Sequence, residues 1–350
     1  MSRSAPHCDA DGYTYFSEGS TENAESGNAT SLPVLYSVAT SGEVKIVPRK
    51  APHEYNNLTV LDFFPGDERL VTLLEASNRD DSENGAVKDT EYFLSSSDRD
   101  GDHPSLVRLD VKFRPLRVAE FASGDFLVLG WDKFGLLPAL VLVQEDGGVR
   151  RFLDLDAGKI ADARDAHAYD SVQDESMSPR ARATLKSLEK SAFVPFGKQV
   201  MLTFPGTAKG IHVISEVGDE RTIPIEIPAG YVLHDVVNGG ARYWTIVVRV
   251  RPADSSKSDE AKGAEAPHQR LLELNATHGD LVTEFMFGTP ENPGPADVMS
   301  VTCAANVGLT AIFLAPMNDS QTAKTVPGAN ANGDPPPPPP QHLVIGTMRR

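Results

Sequence analysis

Cysteine is nearly absent, because Cys8 and Cys303 are the only two in 350 residues. Two thiols cannot supply a four-thiolate zinc site or a disulfide-rich scaffold, so both classes of small stabilised protein are excluded. The two thiols can pair if the fold brings the chain ends together. Single buried thiols are also common in globular proteins, so both alternatives stay open.

Basic residues and long apolar runs are scarce as well. Lysine and arginine total 33 against 49 acidic residues, which gives a formal net charge of -16. A surface of that sign repels phosphate backbones and anionic lipid, so we expect no nucleic-acid partner and no membrane insertion. No stretch approaches the roughly 20 consecutive apolar residues of a membrane-spanning helix. We expect a soluble monomer.

The compartment is not encoded in the N-terminal stretch. MSRSAPHCDADG lacks the apolar core of a signal peptide. Patterned sequence follows abruptly, which leaves room for natural upstream residues that this chain does not contain. With such a segment the protein would be periplasmic or secreted; without it the location is unknown.

Common catalytic and metal-binding motifs are missing. The chain has no G-x-S-x-G, Walker A, H-E-x-x-H or G-x-G-x-x-G pattern, and its nine histidines show no ligand spacing. Ser187 and Lys190 form an S-x-x-K without the S-D-N and K-T-G motifs that acyl-enzymes also carry. The run Asp98–Asp102 begins like a calcium loop but has Leu109 at the glutamate position, so turn chemistry is favoured. We therefore expect no catalytic residue, no metal and no cofactor.

The sequence does contain glycine-bearing turns between apolar runs, in two series that alternate along the chain. Apolar or aromatic residues flank each turn, which is typical of a hairpin whose turn requires φ > 0. The first series has its turns at Gly12, Gly66, Gly124, Gly197, Gly239–Gly240 and Gly308, and the second at Gly42, Gly101, Gly147, Gly218 and Gly279.

These hairpins predict a repeat architecture. With the first hairpin named A-B and the second C-D, the chain reads A-B-C-D five times, followed by an A-B pair and a last strand, His342–Met348. Such small sheets bury both faces only by packing in a ring, so we predict an all-β, six-bladed β-propeller forming one domain over 1–350. The missing D strand would come from the N-terminus. The predicted blades are 1–50, 51–111, 112–156, 191–227, 228–287 and 295–350, with an insertion at 157–190.

Long irregular stretches occur at only two kinds of connection. Those at 78–90, 252–268 and 317–341 fall between B and C, and 157–190 falls between D and A. In an up-and-down sheet these connections share one end, so we expect long loops on one face, where binding residues usually accumulate. The alternative is simple tolerance of insertions at exposed sites. Ser178–Lys190 predicts a short helix that could cap the channel mouth, and Pro335–Pro340 a polyproline II rod.

CDADGYTYFSEG and LYSVATSGEVKIVP together resemble one unit of the bacterial six-bladed β-propellers, the broad NHL-like group. Units of that group combine an Asp-x-x-Gly turn and an aromatic-rich strand with a later strand–Asp/Ser-Gly–strand. SSSDRDGDHPSLVRLDV, LVQEDGGVRRFLDL and LNATHGDLVTEF resemble the latter half. The resemblance implies a ring fold and a recognition role more often than catalysis, and it assigns no functional residue.

Polar residues near the starts of the A strands are candidates to meet a ligand at the channel mouth. They are Asn57, Arg114, Arg117, His234, Asp235 and Asp297. The alternative is a hydrated, hydrogen-bonded channel lining. We predict a non-catalytic propeller that binds a protein, peptide or saccharide on its loop-rich face. The second hypothesis is a metal-assisted hydrolase or lactonase-type enzyme with its site at the channel mouth.

Overall fold

The structure is a computed structural model of the chain. It describes residues 7–9, 13–17, 34–39, 41–66, 69–79, 87–155, 177–204, 210–229, 231–238, 243–250, 269–275, 277–286, 298–305, 308–316 and 341–348.

The described residues form six separate sheets, five with four strands and one with three. Strands consecutive in sequence pair antiparallel within each sheet, so every sheet is a meander. The first sheet comprises β1 (His7–Cys8), β2 (Thr14–Ser17), β3 (Leu35–Val38) and β4 (Val44–Ile46); the second β5 (Asn57–Pro65), β6 (Arg69–Arg79), β7 (Val87–Asp98) and β8 (Ser105–Arg108); the third β9 (Arg114–Glu120), β10 (Phe126–Asp132), β11 (Leu137–Val143) and β12 (Val149–Leu153). The fourth comprises β13 (Ala192–Phe196), β14 (Gln199–Thr203), β15 (Gly210–Ser215) and β16 (Glu220–Pro224); the fifth β17 (Tyr231–Asn238), β18 (Tyr243–Val250), β19 (Gln269–Asn275) and β20 (Leu281–Met286); the sixth β21 (Val298–Ala305), β22 (Gly308–Pro316) and β23 (Gln341–Met348).

The sheets are arranged as a propeller. The first strand of each sheet contacts the first strand of the next, in the order β1, β5, β9, β13, β17, β21, and β21 contacts β1. Buried apolar side chains fill the space between neighbouring sheets: Phe64, Leu127 and Phe193, from three successive sheets, belong to one cluster. The strands therefore bury both faces, as their nearly continuous apolar runs predict. Over the described residues the fold is an all-β propeller with one helix.

Four of the five turns of the second hairpin type, those at Gly42, Gly101, Gly147 and Gly218, share one hydrogen-bonded geometry. At 144–148, Gly147 N donates to Gln144 O over 2.9 Å, and Gln144 N donates to Gly148 O over 2.9 Å. Gly147 has φ of +89°, a left-handed conformation that costs glycine little. Gly42, Gly101, Gly124, Gly197, Gly218 and Gly279 also have positive φ, which confirms these predicted turns.

Gly66 differs from the prediction, because its φ does not lie in the left-handed region. It is the residue before the turn, and its N–H donates to Arg69 O over 2.8 Å. A Cβ at this position would lie 3.1 Å from the same oxygen, so close approach explains this glycine. Gly12 and Gly239–Gly240 fall outside the described residues, and Gly308 is the first residue of β22.

The turn glycines also set the approach of neighbouring sheets. A Cβ added at Gly147 would lie 2.1 Å from Arg108 O, at the end of the outer strand of the preceding sheet. The equivalent contacts are Gly101 with Pro48, Gly218 with Leu153 and Gly279 with Pro224. Each turn therefore packs on the preceding sheet at a distance that only glycine allows. The turn at Gly42 has no such contact among the described residues.

Strand bounds separate two edges of the propeller. Connections A–B and C–D lie at what we call the tight edge, where the longest spans 99–104. Connections B–C and D–A lie at the opposite, loop-bearing edge and include 18–34, 80–86, 251–268, 287–297 and 317–340. The connection from β12 to β13 also lies there and contains the helix. Of these connections, 18–34 was not among the long loops predicted from the sequence.

The single described helix, α1 (Pro179–Lys190), confirms the prediction from sequence. Ser178 Oγ accepts a hydrogen bond from Ala181 N over 3.2 Å, and proline occupies the first turn. The helix contacts β10 and β11, so it packs against the middle strands of the third sheet. No described helix is long and apolar enough to cross a membrane.

The first and sixth sheets are in contact, since β1 contacts β21. The first described strand, β1, is the inner strand of the first sheet, and the sixth sheet contains only β21, β22 and β23 among the described residues. The described part of the N-terminus therefore does not supply the fourth strand; residues 1–6 lie outside the description. Cys8 and Cys303 lie in the contacting strands β1 and β21.

Candidate functional site

Four inner strands carry β-bulges, and in three of them, β5, β9 and β17, a charged residue directly follows the bulge. The register shifts between Val60 and Asp62 in β5 and between Leu233 and Asp235 in β17. In β9 the register shifts between Pro115 and Arg117, which pair with Gly130 and Leu129, so Arg117 directly follows the bulge. Bulges re-aim side chains, so Asp62, Arg117 and Asp235 hold equivalent positions on strands that line the channel.

Asp62 is buried within the ring and joins two sheets. Its side chain is 4% exposed, and Oδ2 accepts a hydrogen bond from Val118 N of the next inner strand over 3.0 Å. Burial raises the pKa of the carboxyl to about 6, although the Arg117 charge and the amides of Val118 and Phe63 oppose the shift. Asp62 therefore acts as a hydrogen-bond acceptor within the protein, and burial makes the ionised form of its carboxyl costly.

His7 lies beside Asp62 and comes from the first inner strand. Its Nε2 is 3.9 Å from Asp62 Oδ1, and its ring makes an edge contact with Phe63 at a centroid distance of 4.9 Å. Burial, and secondarily the Arg117 charge, lowers the pKa of His7 to about 3. The imidazole is therefore neutral near pH 7, and the pair is not an ionic one.

Arg117, a predicted ligand-binding residue, makes three hydrogen bonds within the protein. Nε donates to Ser191 O over 2.6 Å, Nη1 donates to Leu116 O over 2.6 Å, and Nη2 donates to Glu189 O. Glu189 and Ser191 flank the C-terminal end of α1, where unpaired carbonyls favour a cation. Arg117 thus fastens the end of the helix to the inner strand of the third sheet.

Asn57 and Arg114 are also engaged by neighbours. Asn57 Nδ2 donates to Ser77 Oγ on the adjacent strand β6 over 2.9 Å. Arg114 Nε lies 3.4 Å from Glu75 Oε2, also on β6. Asn57 and Arg114 are thus each held by a residue of β6. These contacts agree with a hydrogen-bonded lining.

The remaining predicted site residues cannot be placed by their side chains. His234 and Asp235 lie at the bulge of β17, where only the backbone is described, and Asp297 precedes β21 outside the described residues. Within the described part of the chain, no three His, Cys, Asp or Glu side chains cluster closely enough to hold a metal ion.

A second charged cluster lies at the tight edge between the second and third sheets. Glu120 is 6% exposed, and its Oε1 lies 3.7 Å from Arg69 Nη1, which is 4.0 Å from Glu145 Oε1. Arg69 Nη2 also donates to Ser105 Oγ over 2.9 Å. Burial raises the pKa of Glu120 to about 7; Arg69 opposes the shift and Glu145 adds to it.

Sequence reasoning missed His7, Asp62 and Glu120. Asp62 had a signal, because a lone carboxylate inside the apolar run VLDFFP has to find a buried partner. Glu120 ends an A strand directly before a turn, where a charged residue is normally solvated. Nothing in its local sequence indicates that the neighbouring sheet covers it.

No protein-family model and no curated protein matches the chain. Among solved structures it is similar to virginiamycin B lyase from Staphylococcus aureus, with 13% identity, a TM-score of 0.41, and coverage of 88% of this chain and 76% of the lyase. A protein of unknown function from Dyadobacter fermentans has 10% identity, a TM-score of 0.46 and coverage of 99% and 94%. The GH74 xyloglucanase from Xanthomonas campestris has 12% identity, a TM-score of 0.43 and coverage of 89% and 41%. None of their activities is carried over to this chain.

Proposed function

We propose that this chain is a six-bladed propeller, related to the broad NHL-like group, that binds a protein, peptide or saccharide at its loop-bearing edge. One observation carries the proposal: the connections at the tight edge are all short, whereas 251–268 and 317–340 leave the sheets at the opposite edge. Rigid scaffolds commonly bind through loops collected at one end. The six sheets, and the cyclic contacts of their first strands, support the count of six.

The inner polar groups support binding through the loops and not in the channel. Asn57 is held by Ser77, and Arg117 is held by the carbonyls at the end of α1. A ligand that used these groups would first have to break hydrogen bonds within the protein, at a cost of about 1–3 kcal/mol for each unsatisfied group.

Loop replacement tests the proposal. Wild-type protein is screened on a glycan array and against a displayed random-peptide library. A variant in which a short Gly-Ser linker replaces 252–268 should bind the selected ligand at least about tenfold more weakly. The matched control, Glu145→Gln, changes an exposed carboxylate at the tight edge and should bind like wild type. The proposal would be contradicted if the screens selected no ligand. It would also be contradicted if the 252–268 variant and a second variant lacking 318–334 both bound the selected ligand as tightly as wild type.

The second candidate is a metal-assisted hydrolase, favoured by the equivalent positions of Asp62 and Asp235 on two inner strands. Carboxylates on separate strands can supply oxygen ligands to a hard cation. Against it, Asp62 already accepts the Val118 N–H. Metal analysis of purified protein separates the two functions: stoichiometric calcium or zinc, with lactone hydrolysis abolished by chelator, would favour the enzyme.

A further inference from the structure

We propose that the interface between the first and second sheets binds a small oxyanion, with Arg49 as its cation and three buried hydroxyls as its hydrogen-bond donors. The hydroxyls belong to Thr72, Ser95 and Ser97. Each of the four side chains has a buried polar atom without a hydrogen-bond partner among the described residues. None of the four residues belongs to the channel lining or to the long loops, so this site is separate from the proposed function.

The three hydroxyls lie on one face of the second sheet. Thr72 pairs with Ser95 across β6 and β7, and Ser97 is two residues further along β7, so the three side chains share a face. Phe63 pairs with Thr72 from β5 and packs with Tyr15, so this face is turned toward the first sheet. Thr72 is fully buried, and Ser95 and Ser97 are each 2% exposed. Bulk water therefore does not satisfy these hydroxyls.

The third sheet shows that packing does not require the hydroxyls. The three positions that correspond by strand pairing and by distance from the following turn all carry a fully buried valine. They are Val128, Val141 and Val143. Threonine has nearly the shape of valine, so the second sheet differs at Thr72 by a hydroxyl and not by volume. A buried hydroxyl without a partner destabilises the folded protein, so three of them in place of valines indicate a ligand that completes their hydrogen bonds.

Arg49 is a buried cation without a counter-ion in the described part of the chain. The residue is half-buried, its Nη1 is fully buried, and it forms no hydrogen bond or ion pair there. Burial lowers the pKa of its guanidinium to about 10, so the group stays charged near pH 7. Charges removed from water are ordinarily paired, because their desolvation is costly. An anion that enters past the half-exposed side chain would supply the missing charge.

The connection from β4 to β5, at 47–56, carries Arg49 over the face that bears the hydroxyls. At its start, Val47 packs in one buried cluster with Leu70, the residue of β6 that pairs with Ser97. Val47 is two residues before Arg49. The connection therefore reaches this face close to Ser97, directly before Arg49.

The other end of the connection lies on the same face. Tyr55 makes an edge contact with Phe93 at a ring-centroid distance of 5.7 Å. Phe93 is two residues before Ser95 on β7, so both side chains point to the first sheet. Arg49 thus lies on a segment that is held near Ser97 at one end and near Ser95 at the other.

Local charge also favours an anion, although the formal net charge of the chain is -16. Segment 44–53 carries three basic residues and no acidic one, and Glu43 and Glu54 at its ends are exposed. In the turn after β7, the side chains of Asp98 and Asp100 are 45% and 79% exposed. Water and salt screen such exposed carboxylates, so they do not cancel the charge of the buried guanidinium.

The chemistry of these groups selects an oxyanion. The guanidinium fork matches two oxygens of a carboxylate, sulfate or phosphate group, and hydroxyls donate to the remaining lone pairs. Two sources share this chemistry: a free inorganic anion, and the carboxylate of a small organic acid.

Unfolding in the presence of phosphate, sulfate or acetate tests the site. The midpoint of thermal unfolding of the whole chain is measured at constant ionic strength, with millimolar sodium chloride replaced by each probe. At least one probe should raise the midpoint along a saturable curve, as a ligand that binds only the folded state does. A larger effect of acetate assigns the site to a carboxylate, and a larger effect of phosphate or sulfate to a tetrahedral anion. Both results support the proposal.

Two variants and one control test the assigned residues. Arg49→Gln should weaken binding of the probe at least about tenfold, because it removes the charge but keeps an amide donor. Lys50→Gln removes the same charge from the next, exposed residue and should bind like wild type. Thr72→Val should weaken binding about tenfold. Without a probe it should unfold at a midpoint no lower than that of wild type, because Val128 packs at the equivalent position of the third sheet.

Three results would overturn the proposal. The first is a midpoint that no probe raises above that in chloride. The second is an equal rise for Arg49→Gln and wild type, which would show a general salt effect. The third is a Thr72→Val protein that binds the probe like wild type and unfolds earlier, which would assign the hydroxyls to buried water. Because Arg49→Gln should leave binding by 252–268 unchanged, failure here is separable from failure of the proposed function.

Discussion

Val118 donates its backbone N–H to the Asp62 carboxylate over 3.0 Å, and this hydrogen bond joins the inner strands of two neighbouring sheets. Arg117, the residue before Val118, donates to Ser191 O and so reaches the start of the next inner strand. Two residues at equivalent bulge positions therefore hold successive sheets together. Arg117, which the sequence suggested as a ligand-binding residue, is thus one of the side chains that join neighbouring sheets.

Asp62→Asn should remove the free-energy cost of ionising a buried carboxyl, a cost that depends on pH, while keeping an acceptor for the Val118 N–H. The folded-state pKa of Asp62 is raised from 3.8 to about 6, so the folded protein binds this proton more tightly than the unfolded chain. Its contribution to stability is greatest at low pH and is lost as the pH rises through about 6. Relative to wild type, the free energy of unfolding of Asp62→Asn should increase by up to roughly 3 kcal/mol between about pH 4 and about pH 7. Urea titrations at each pH measure this difference in the free energy of unfolding, and a difference that did not change with pH would contradict the prediction.

For His7→Gln, the difference in the free energy of unfolding from wild type should change with pH in the opposite direction. Burial lowers the folded-state pKa of His7 from 6.5 to about 3, so the unfolded chain takes up this proton first as the solution is acidified. Wild type therefore loses stability as the pH falls below about 6.5, by at most roughly 5 kcal/mol. Measured in the same titrations, the stability of His7→Gln relative to wild type should increase as the pH falls toward about 4. If both variants changed with pH in the same direction, the assignment of the pair would be wrong.

Glu120→Gln tests the cluster at the tight edge. The folded-state pKa of Glu120 is raised from 4.5 to about 7, so its ionisation weakens the folded state as the pH rises through about 7. The variant should gain on wild type by roughly 3 kcal/mol between about pH 4 and about pH 8. Glu145→Gln is the control, because Glu145 flanks the same Arg69 with its side chain 73% exposed. Equal pH profiles for the two variants would show that burial is not the cause.

A pair of glycine substitutions separates backbone strain from contact between sheets. Gly42 and Gly147 have φ of +87° and +89°, so alanine costs about 1–2 kcal/mol at either turn. At Gly147 the added methyl group would also lie 2.1 Å from Arg108 O, whereas at Gly42 the space is open among the described residues. Gly147→Ala should therefore lose at least about 1 kcal/mol more than Gly42→Ala in thermal or urea unfolding. Equal losses would mean that the turn does not set the sheet spacing.

The fold was largely predictable because its determinants are local. Glycine turns between apolar runs determine each hairpin, and Ser178 followed by Pro179 determines the start of the helix. Gly66 was wrongly predicted to have a positive φ. In the sequence, a glycine required for close approach to Arg69 looks the same as one required for positive φ.

The candidate site was much less predictable because its partners come from other sheets. The sequence correctly placed Asn57, Arg114 and Arg117 on inner strands, but Ser77, Glu75 and the end of α1 that engage them are distant along the chain. The lone carboxylate of Asp62 was visible in the sequence, whereas Val118, which satisfies it, was not. Polar residues near strand starts therefore indicate a ring lining as readily as a binding site.

Cross-linking of the two native cysteines tests ring closure most directly, because Cys8 and Cys303 lie in the contacting strands β1 and β21. Intact mass spectrometry after treatment with a bis-maleimide of about 10 Å span should find one intramolecular bridge in native buffer, lost in urea and in Cys303→Ser. Single modification of both thiols in native buffer without any bridge would show that the first and last sheets are not neighbours, and would contradict the closed ring.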